Sequence, residues 1–396
     1  MKAENPFVIK GYRGSEFFCD REKETRKLVA AIENGRDVTI MAPRRYGKTG
    51  LVRHVFHSLG KGYAPLYVDI FNITCLADFV KVFASAVLDE LATPLERTGK
   101  GLVDFFRAVR PTITPQADGF PKFSFDLAPA QAEATLKDVF SFLESRKVEP
   151  VVAIDEFQQV REFPERGVEA LLRSHVQFCH NAHFVFAGSK RHMMEEMFAL
   201  PRGPFYQSTQ LLPLDVIPCE KYRTFAQTHF RQGGRKFDGE VFDRLYERFD
   251  GITWYVQVLL NRIWERPQGL DSVAAIDETV ETFVEENALT YHDLLASQTD
   301  AARQVLKAIA SEGVAKEISG KAFCERHNLP AGSTVRSTLA DLVSRDLVDR
   351  SEGGCRVYDR FFAQWLRSEA ARRSQNLLQS RRSGSTACMA RSLPIS

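Results

Sequence analysis

The sequence predicts an α/β domain built on a parallel sheet, followed by an all-α segment and a small helical domain closed by a hairpin. Three observations carry this expectation. Short apolar runs at Val38–Met41, Leu66–Ile70, Val151–Ile154 and His183–Ala187 alternate with helix-spaced stretches at Lys48–Leu59, Leu76–Leu91, Ala130–Arg146 and Val168–Cys179. Strands alternating with helices imply βαβ units with right-handed crossovers. From Cys219 to Glu286 the pattern is wholly helical, and after Tyr291 it changes again to three short helices and a Gly-turned hairpin.

Taken in order, Asn5–Glu24 is polar and Gly-broken with aromatics, and leads into a helix through Asn34. Gly35-Arg36-Asp37 turns the chain into the first strand. Residues 100–130 suggest a β-hairpin insertion, because Thr112-Ile113-Thr114 and Lys122-Phe123-Ser124-Phe125 alternate around Asp118-Gly119. Tyr206–Leu212 is the expected fifth strand. The expected domains are a core at 1–215, a helical lid at 216–290, a C-terminal domain at 291–370 and a disordered tail at 371–396.

Composition sets limits. Hydrophobic residues make up 44% and charged residues 26% of 396, the mix of a globular protein. No apolar run is long enough to span a membrane, and Met1–Lys10 lacks the apolar centre of a secretory signal, so no membrane partner is expected. The seven Cys are scattered and free of CxxC spacing, which points to reduced thiols and a cytoplasmic location. Net charge is +2, yet five Arg of the acid-free tail account for it. With those set aside, 48 basic residues stand against 51 acidic ones, so the folded part shows no strong footprint for nucleic acid.

The chemistry is carried by Ala42-Pro43-Arg44-Arg45-Tyr46-Gly47-Lys48-Thr49, with Gly50 continuing into the helix. It lies between a strand and a helix and has the Walker A pattern with Ala in place of the commoner first Gly. Backbone N–H groups from Arg44 to Thr49 would wrap phosphates at a helix N-terminus. Gly47 permits close approach, Lys48 reaches the β- and γ-phosphates of ATP, and the Thr49 hydroxyl ligates Mg²⁺. Val151–Ile154 ends in Asp155-Glu156, a Walker B pattern. There Asp155 would hold Mg²⁺ through water and Glu156 would orient or deprotonate the attacking water. Ser189, after the next strand, is the candidate sensor of the γ-phosphate; the alternative is that Gly188-Ser189 caps the helix beginning at Lys190. Arg202, with Arg191 second, is the candidate arginine finger, against the plainer reading of both as surface arginines. Arg44 and Arg45 could equally pair with local acids.

Phe18-Cys19-Asp20-Arg21-Glu22-Lys23-Glu24, Met41–Thr49 and Ile154-Asp155-Glu156-Phe157-Gln158 together resemble the archaeal-type ATPases of prokaryotes, AAA+-related proteins bordering the STAND class. The resemblance runs from about Asn5 to Leu366. It implies a P-loop NTPase fold of the AAA+ kind, with a five-stranded parallel sheet whose Walker B and sensor strands lie beside the Walker A strand. It also implies that Asn5–Arg21 wraps the adenine, with Phe7 or Phe18 offering an apolar face to the base; ordinary core packing is the alternative for both. Two departures stand out. Gly251-Ile252-Thr253-Trp254-Tyr255 lacks the sensor arginine common in AAA+ lids, and Tyr206 is followed by Gln207-Ser208 rather than Gly-Arg.

In the C-terminal domain, helices at Ala302–Ala310, Gly320–His327 and Ser333–Arg345, the last capped by Ser333 or Thr334, precede strands around Gly353-Gly354. That is the winged-helix order, and Asp359–Leu366 resembles the end of this domain in the same family. Across Ser333–Arg350, three Arg (336, 345, 350) balance three Asp (341, 346, 349), unlike the basic excess of DNA-reading helices. The expectation is a slow ATPase that switches a protein partner; the alternative is ATP-gated DNA binding of the origin-recognition or transcription-regulator kind. A kinase is disfavoured by Asp155-Glu156 and the all-α lid, and a GTPase by the lack of a guanine-recognition run.

Overall fold

The computed structural model describes residues 4–98, 102–114, 116, 122–351 and 353–371. The expected turn at Asp118-Gly119 and the tail beyond Ala371 lie outside them. The chain divides into two compact units, Met1–Gly269 and Leu270–Ser396. The second unit begins ahead of position 291 and takes in the helix at Val273–Glu286.

The first unit contains α1 (Glu22–Glu33), β1 (Val38–Met41), α2 (Lys48–Ser58), β2 (Tyr63–Asp69), α3 (Leu76–Leu91) and α4 (Leu102–Phe105). There follow β3 (Thr112–Thr114), β4 (Lys122–Ser124), α5 (Ala132–Glu144), β5 (Glu149–Asp155), α6 (Val168–Gln177), β6 (His183–Gly188), α7 (Arg191–Phe198) and β7 (Gln210–Pro213). The main sheet has five parallel strands in the order β2-β5-β6-β1-β7. Its strands are apolar runs because both faces are covered. Alternation divides them between two cores: Val151, Ala153, Val185 and Ala187 face one layer, and Val152, Ile154, Phe184 and Phe186 the other. α1 and α2 close the first layer with Leu28, Ile32, Leu51 and Val55; α3, α5 and α6 close the second with Phe79, Phe83, Leu136 and Leu172.

Two expectations are corrected in detail. β6 alone separates β1 from β5, with Ile40 paired to Ala187 and Ile154 to Phe186, so the sensor strand adjoins the Walker A strand and the Walker B strand lies one further out. The fifth strand begins at Gln210, not Tyr206, because residues 201–208 form turns that drop Phe205 into a cluster with Phe157, Phe186 and Phe198. The hairpin does form, pairing Thr112 with Ser124, and its Phe123 backbone N–H donates to Asp89 of α3 at 3.0 Å.

Next come α8 (Cys219–Gln232), β8 (Lys236–Phe237), α9 (Gly239–Arg248), α10 (Thr253–Trp264) and β9 (Gly269–Leu270). Tyr222, Phe230, Phe242, Leu245, Tyr255, Leu259 and Ile263 are buried among these helices. Phe7 is fully buried with them, its ring 5.3 Å from Phe230 and 5.9 Å from Trp264, which is the core-packing alternative for this residue. The side-chain amides of Asn5 and Asn261 hold that segment by donating hydrogen bonds to the carbonyls of Asn261 and Phe7, at 2.8 and 2.6 Å.

The second unit contains α11 (Val273–Glu286), α12 (Ala288–Ala296), α13 (Asp300–Glu312), α14 (Lys321–Arg326), α15 (Gly332–Ser344), β10 (Val348–Ser351) and β11 (Gly354–Val357). The last two strands are antiparallel, pairing Val348 with Val357. α15 starts one residue before the expected cap, so Ser333 and Thr334 lie in its first turn and cap nothing. Gly332 opens it because a Cβ there would meet the Ser319 carbonyl at 2.5 Å.

Candidate functional site

The carboxyl ends of β1, β5 and β6 meet at one edge of the sheet, where open α/β folds form clefts. The loop Ala42–Gly47 leaves β1 and enters α2 through two left-handed residues, Arg45 (φ 73°) and Gly47 (φ 90°). Lys48, 6% exposed, folds back so that Nζ donates to the carbonyls of Ala42 (2.8 Å) and Pro43 (3.1 Å). Burial pulls its pKa below the usual lysine value, while the carboxylates of Glu156 and Asp155 work the other way.

Asp155 ends β5 and is buried. Its Oδ2 accepts the Thr49 hydroxyl at 2.8 Å and also the Tyr67 hydroxyl from β2; its Oδ1 accepts the Glu156 backbone N–H at 2.9 Å. Burial, and then the adjacent Asp155 carboxylate, push the Tyr67 phenol pKa well up, so Tyr67 acts there as a donor. Thr49 and Asp155 thus present hard oxygen atoms side by side, a donor set suited to Mg²⁺. Among the described residues no group of three or more His, Cys, Asp or Glu could hold a metal. A cation at Thr49 and Asp155 would therefore complete its shell with phosphate and water.

Glu156 is left-handed (φ 57°), and its carboxylate turns towards β6. Oε2 accepts the Ser189 hydroxyl at 2.5 Å and the Gln158 amide at 2.6 Å. The helix after Ser189 starts at Arg191 with Lys190 as its cap and no side-chain cap bond, so Ser189 serves Glu156 and not the helix. Arg44 reaches the same hydroxyl at 3.4 Å, and its guanidinium lies 4.8 Å over the Phe71 ring.

The opposite side of the loop meets the first turn of α10. The Trp254 backbone N–H donates to the Arg45 carbonyl at 3.0 Å, and the Arg45 guanidinium lies over Trp254 (4.4 Å) and Tyr255 (4.9 Å), donating to the Tyr255 hydroxyl. Arg21, 4% exposed, ties the carbonyls of Tyr46 (3.2 Å) and Asp215 (2.5 Å) together. Phe18 stacks on His54 of α2 at 4.1 Å, beside Gly50.

The structure therefore brings Lys48, Thr49, Asp155, Glu156 and Ser189 into one site. Arg202 is exposed, with Glu196 of α7 as its neighbour, and Arg191 pairs with Glu195 at 2.7 Å. Sequence reasoning missed three residues. Tyr67 reaches Asp155 only through the β2–β5 register, and Gln158 reaches Glu156 only through the left-handed turn. Arg21 and Gln158 stand inside the stretches that carried the family resemblance, and that was the available signal. Among the described residues no helix is long and apolar enough to cross a membrane.

Residues 18–259 match a family of ATPase domains predominantly from Archaea, and residues 289–368 a probable winged helix domain. Among solved structures, the Walker-type ATPase of Pyrococcus abyssi is similar with a TM-score of 0.62 at 17% identity, over 91% of this chain and 99% of that one. The ORC2 protein of Aeropyrum pernix, solved as ADPNP–ADP complexes, gives 0.57 at 16% identity over 93% and 99%. The ORC1 protein of Aeropyrum pernix in complex with DNA gives 0.52 at 15% over 89% and 93%. At these identities the likeness is one of fold. No protein of curated function matches by sequence.

Proposed function

Because the chain belongs to the family of ATPase domains found predominantly in Archaea, we propose that it binds ATP with Mg²⁺, hydrolyses it slowly and acts as a switch of the AAA+ kind. The observation that carries this reading is the convergence of Lys48, Thr49, Asp155, Glu156 and Ser189 at the ends of β1, β5 and β6. The backbone from Arg44 to Thr49 and the start of α2 bind the phosphates. Lys48 leaves the Ala42 and Pro43 carbonyls to reach the β- and γ-phosphates. Mg²⁺, when bound, neutralises phosphate charge and fixes its geometry. Thr49 and Asp155 would hold the cation, Thr49 by its hydroxyl oxygen and Asp155 through water. Glu156 orients the attacking water and takes its proton, with Ser189 beside the γ-phosphate. Arg202, with Arg191 second, is the arginine-finger candidate of this reading. The core then ends near 215, the lid follows it, and the winged helix passes the nucleotide state to a protein partner.

A second reading, ATP-gated DNA binding, is favoured by the winged helix and by the likeness to an ORC1 protein solved with DNA. Against it stands the charge balance of residues 333–350, three Arg to three Asp. Phosphate release from Mg-ATP, with and without duplex DNA, tests both readings. The wild type is expected to turn over, Glu156→Gln to bind ATP with turnover lowered at least ~100-fold, and Lys48→Ala to lose binding. Retained turnover in Glu156→Gln sinks the assignment. Stimulation by DNA, weakening steeply with salt, selects the second reading.

A further inference from the structure

Gln158 is the buried polar group at this site that the mechanism above leaves without a task. Its side chain is 2% exposed, and an amide so buried needs both ends satisfied. Nε2 donates to Glu156 Oε2 at 2.6 Å, and Oε1 accepts the Ser189 backbone N–H at 3.2 Å. The amide orientation is determined by these partners, because the reverse would set oxygen against carboxylate and NH₂ against N–H.

The local backbone is built for this contact. Residues two apart do not face each other along a helix. Here Glu156 takes φ 57° just before the 3₁₀ turn Phe157–Glu162, which folds the chain back so that side chains 156 and 158 meet. Across the gap Gly188 leaves the necessary room, since a Cβ there would stand 2.5 Å from Gln158 Oε1 and 2.4 Å from the Met194 sulfur. The two donors, Gln158 and Ser189, both engage Oε2. Among the described residues no hydrogen bond engages Oε1 of Glu156. One carboxylate oxygen is clamped and the other is presented.

We propose that Gln158 is a positioning residue for hydrolysis, holding Glu156 by Oε2 so that Oε1 meets the attacking water. The inference rests on the hydrolytic reading above. A loosely held base costs rate and not affinity, because reacting groups must be placed to within about 1 Å.

The test measures kcat and KM for Mg-ATP in four proteins: wild type, Gln158→Met, Glu156→Gln and the double variant. Met keeps the volume and removes both polar partners. Gln158→Met should lower kcat by ~10- to 100-fold with KM within about twofold. Added to Glu156→Gln it should cost nothing more, because a residue acting through Glu156 has no work left once that carboxylate is gone. A merely structural role predicts instead a further loss in the double variant. Should Gln158→Met not fold, Gln158→Asn, whose amide is one methylene short, carries the same expectation. Wild-type kcat in either variant, or an additive loss in the double variant, overturns the proposal while leaving the ATPase reading intact. A wild type that binds ATP without ever hydrolysing it overturns both.

Discussion

Arg44 and Arg45 are adjacent in the chain and face opposite walls of the same loop. Arg44 points to the wall of β6, where Ser189, Glu156 and Gln158 form a chain of side-chain hydrogen bonds. Arg45 points to α10, where its guanidinium lies over two aromatic rings and its carbonyl accepts a backbone N–H from the first turn. Arg45 takes a left-handed backbone, φ 73°, where the loop turns between these two walls. The two walls differ in kind. One is polar and includes the Glu156 carboxylate; the other is aromatic and packs against the loop itself. The first turn of α10, which holds no arginine, thus meets a cation supplied from the loop side.

That contrast sets separable expectations. Arg45→Ala should have the largest effect of the three below, because a guanidinium stacked on Trp254 and Tyr255 is worth about 1–2 kcal/mol. Titration should show ATP affinity weakened roughly tenfold with kcat for bound ATP within about twofold. Arg44→Ala should act on the other parameter and more weakly. Its contact to Ser189 is long, so single-turnover measurements should give a ~3-fold slower step at nearly unchanged affinity. If both variants move the same parameter, the two walls are not functionally distinct.

Asp37, at the opposite end of β1, supplies the control. Burial pushes its carboxyl up from 3.8 to about 6, and the Phe184 N–H and His183 pull it partly back. The folded chain keeps this proton to higher pH than the unfolded chain does. The contribution of Asp37 to stability is therefore present below pH 3.8 and is lost as pH rises through about 6. Asp37→Asn, which can still accept from Phe184, should unfold in urea with a gain of about 1 kcal/mol over wild type at pH 7.5 and none near pH 4. Neither ATP affinity nor kcat should follow it.

How much of this was legible in the sequence depended on how local each feature is. Ala42–Thr49 and Asp155-Glu156 are contiguous and need only a strand before them, so both stood out. The strands at Val38, Val151 and His183 also declared themselves, because buried parallel strands are continuous apolar runs. Tyr206–Leu212 misled because an aromatic, β-prone run resembles a strand, whereas burial of Phe205 under β6 pays for a turn instead. Tyr67 and the Arg45 aromatics depend on register and on tertiary approach, which no local pattern encodes. The turn between Glu156 and Gln158 depends on a positive φ at a residue that rarely adopts it.

Trp254 carries one further consequence, for optical work on this protein. The chain has three tryptophans, and two of them, Trp264 and Trp365, are buried in packed interiors. Trp254 is half-buried, where α10 meets the loop, with a cation over its ring. Its emission is the one most exposed to a change in that contact, so the protein has an intrinsic fluorophore that reports on the Ala42–Gly47 loop.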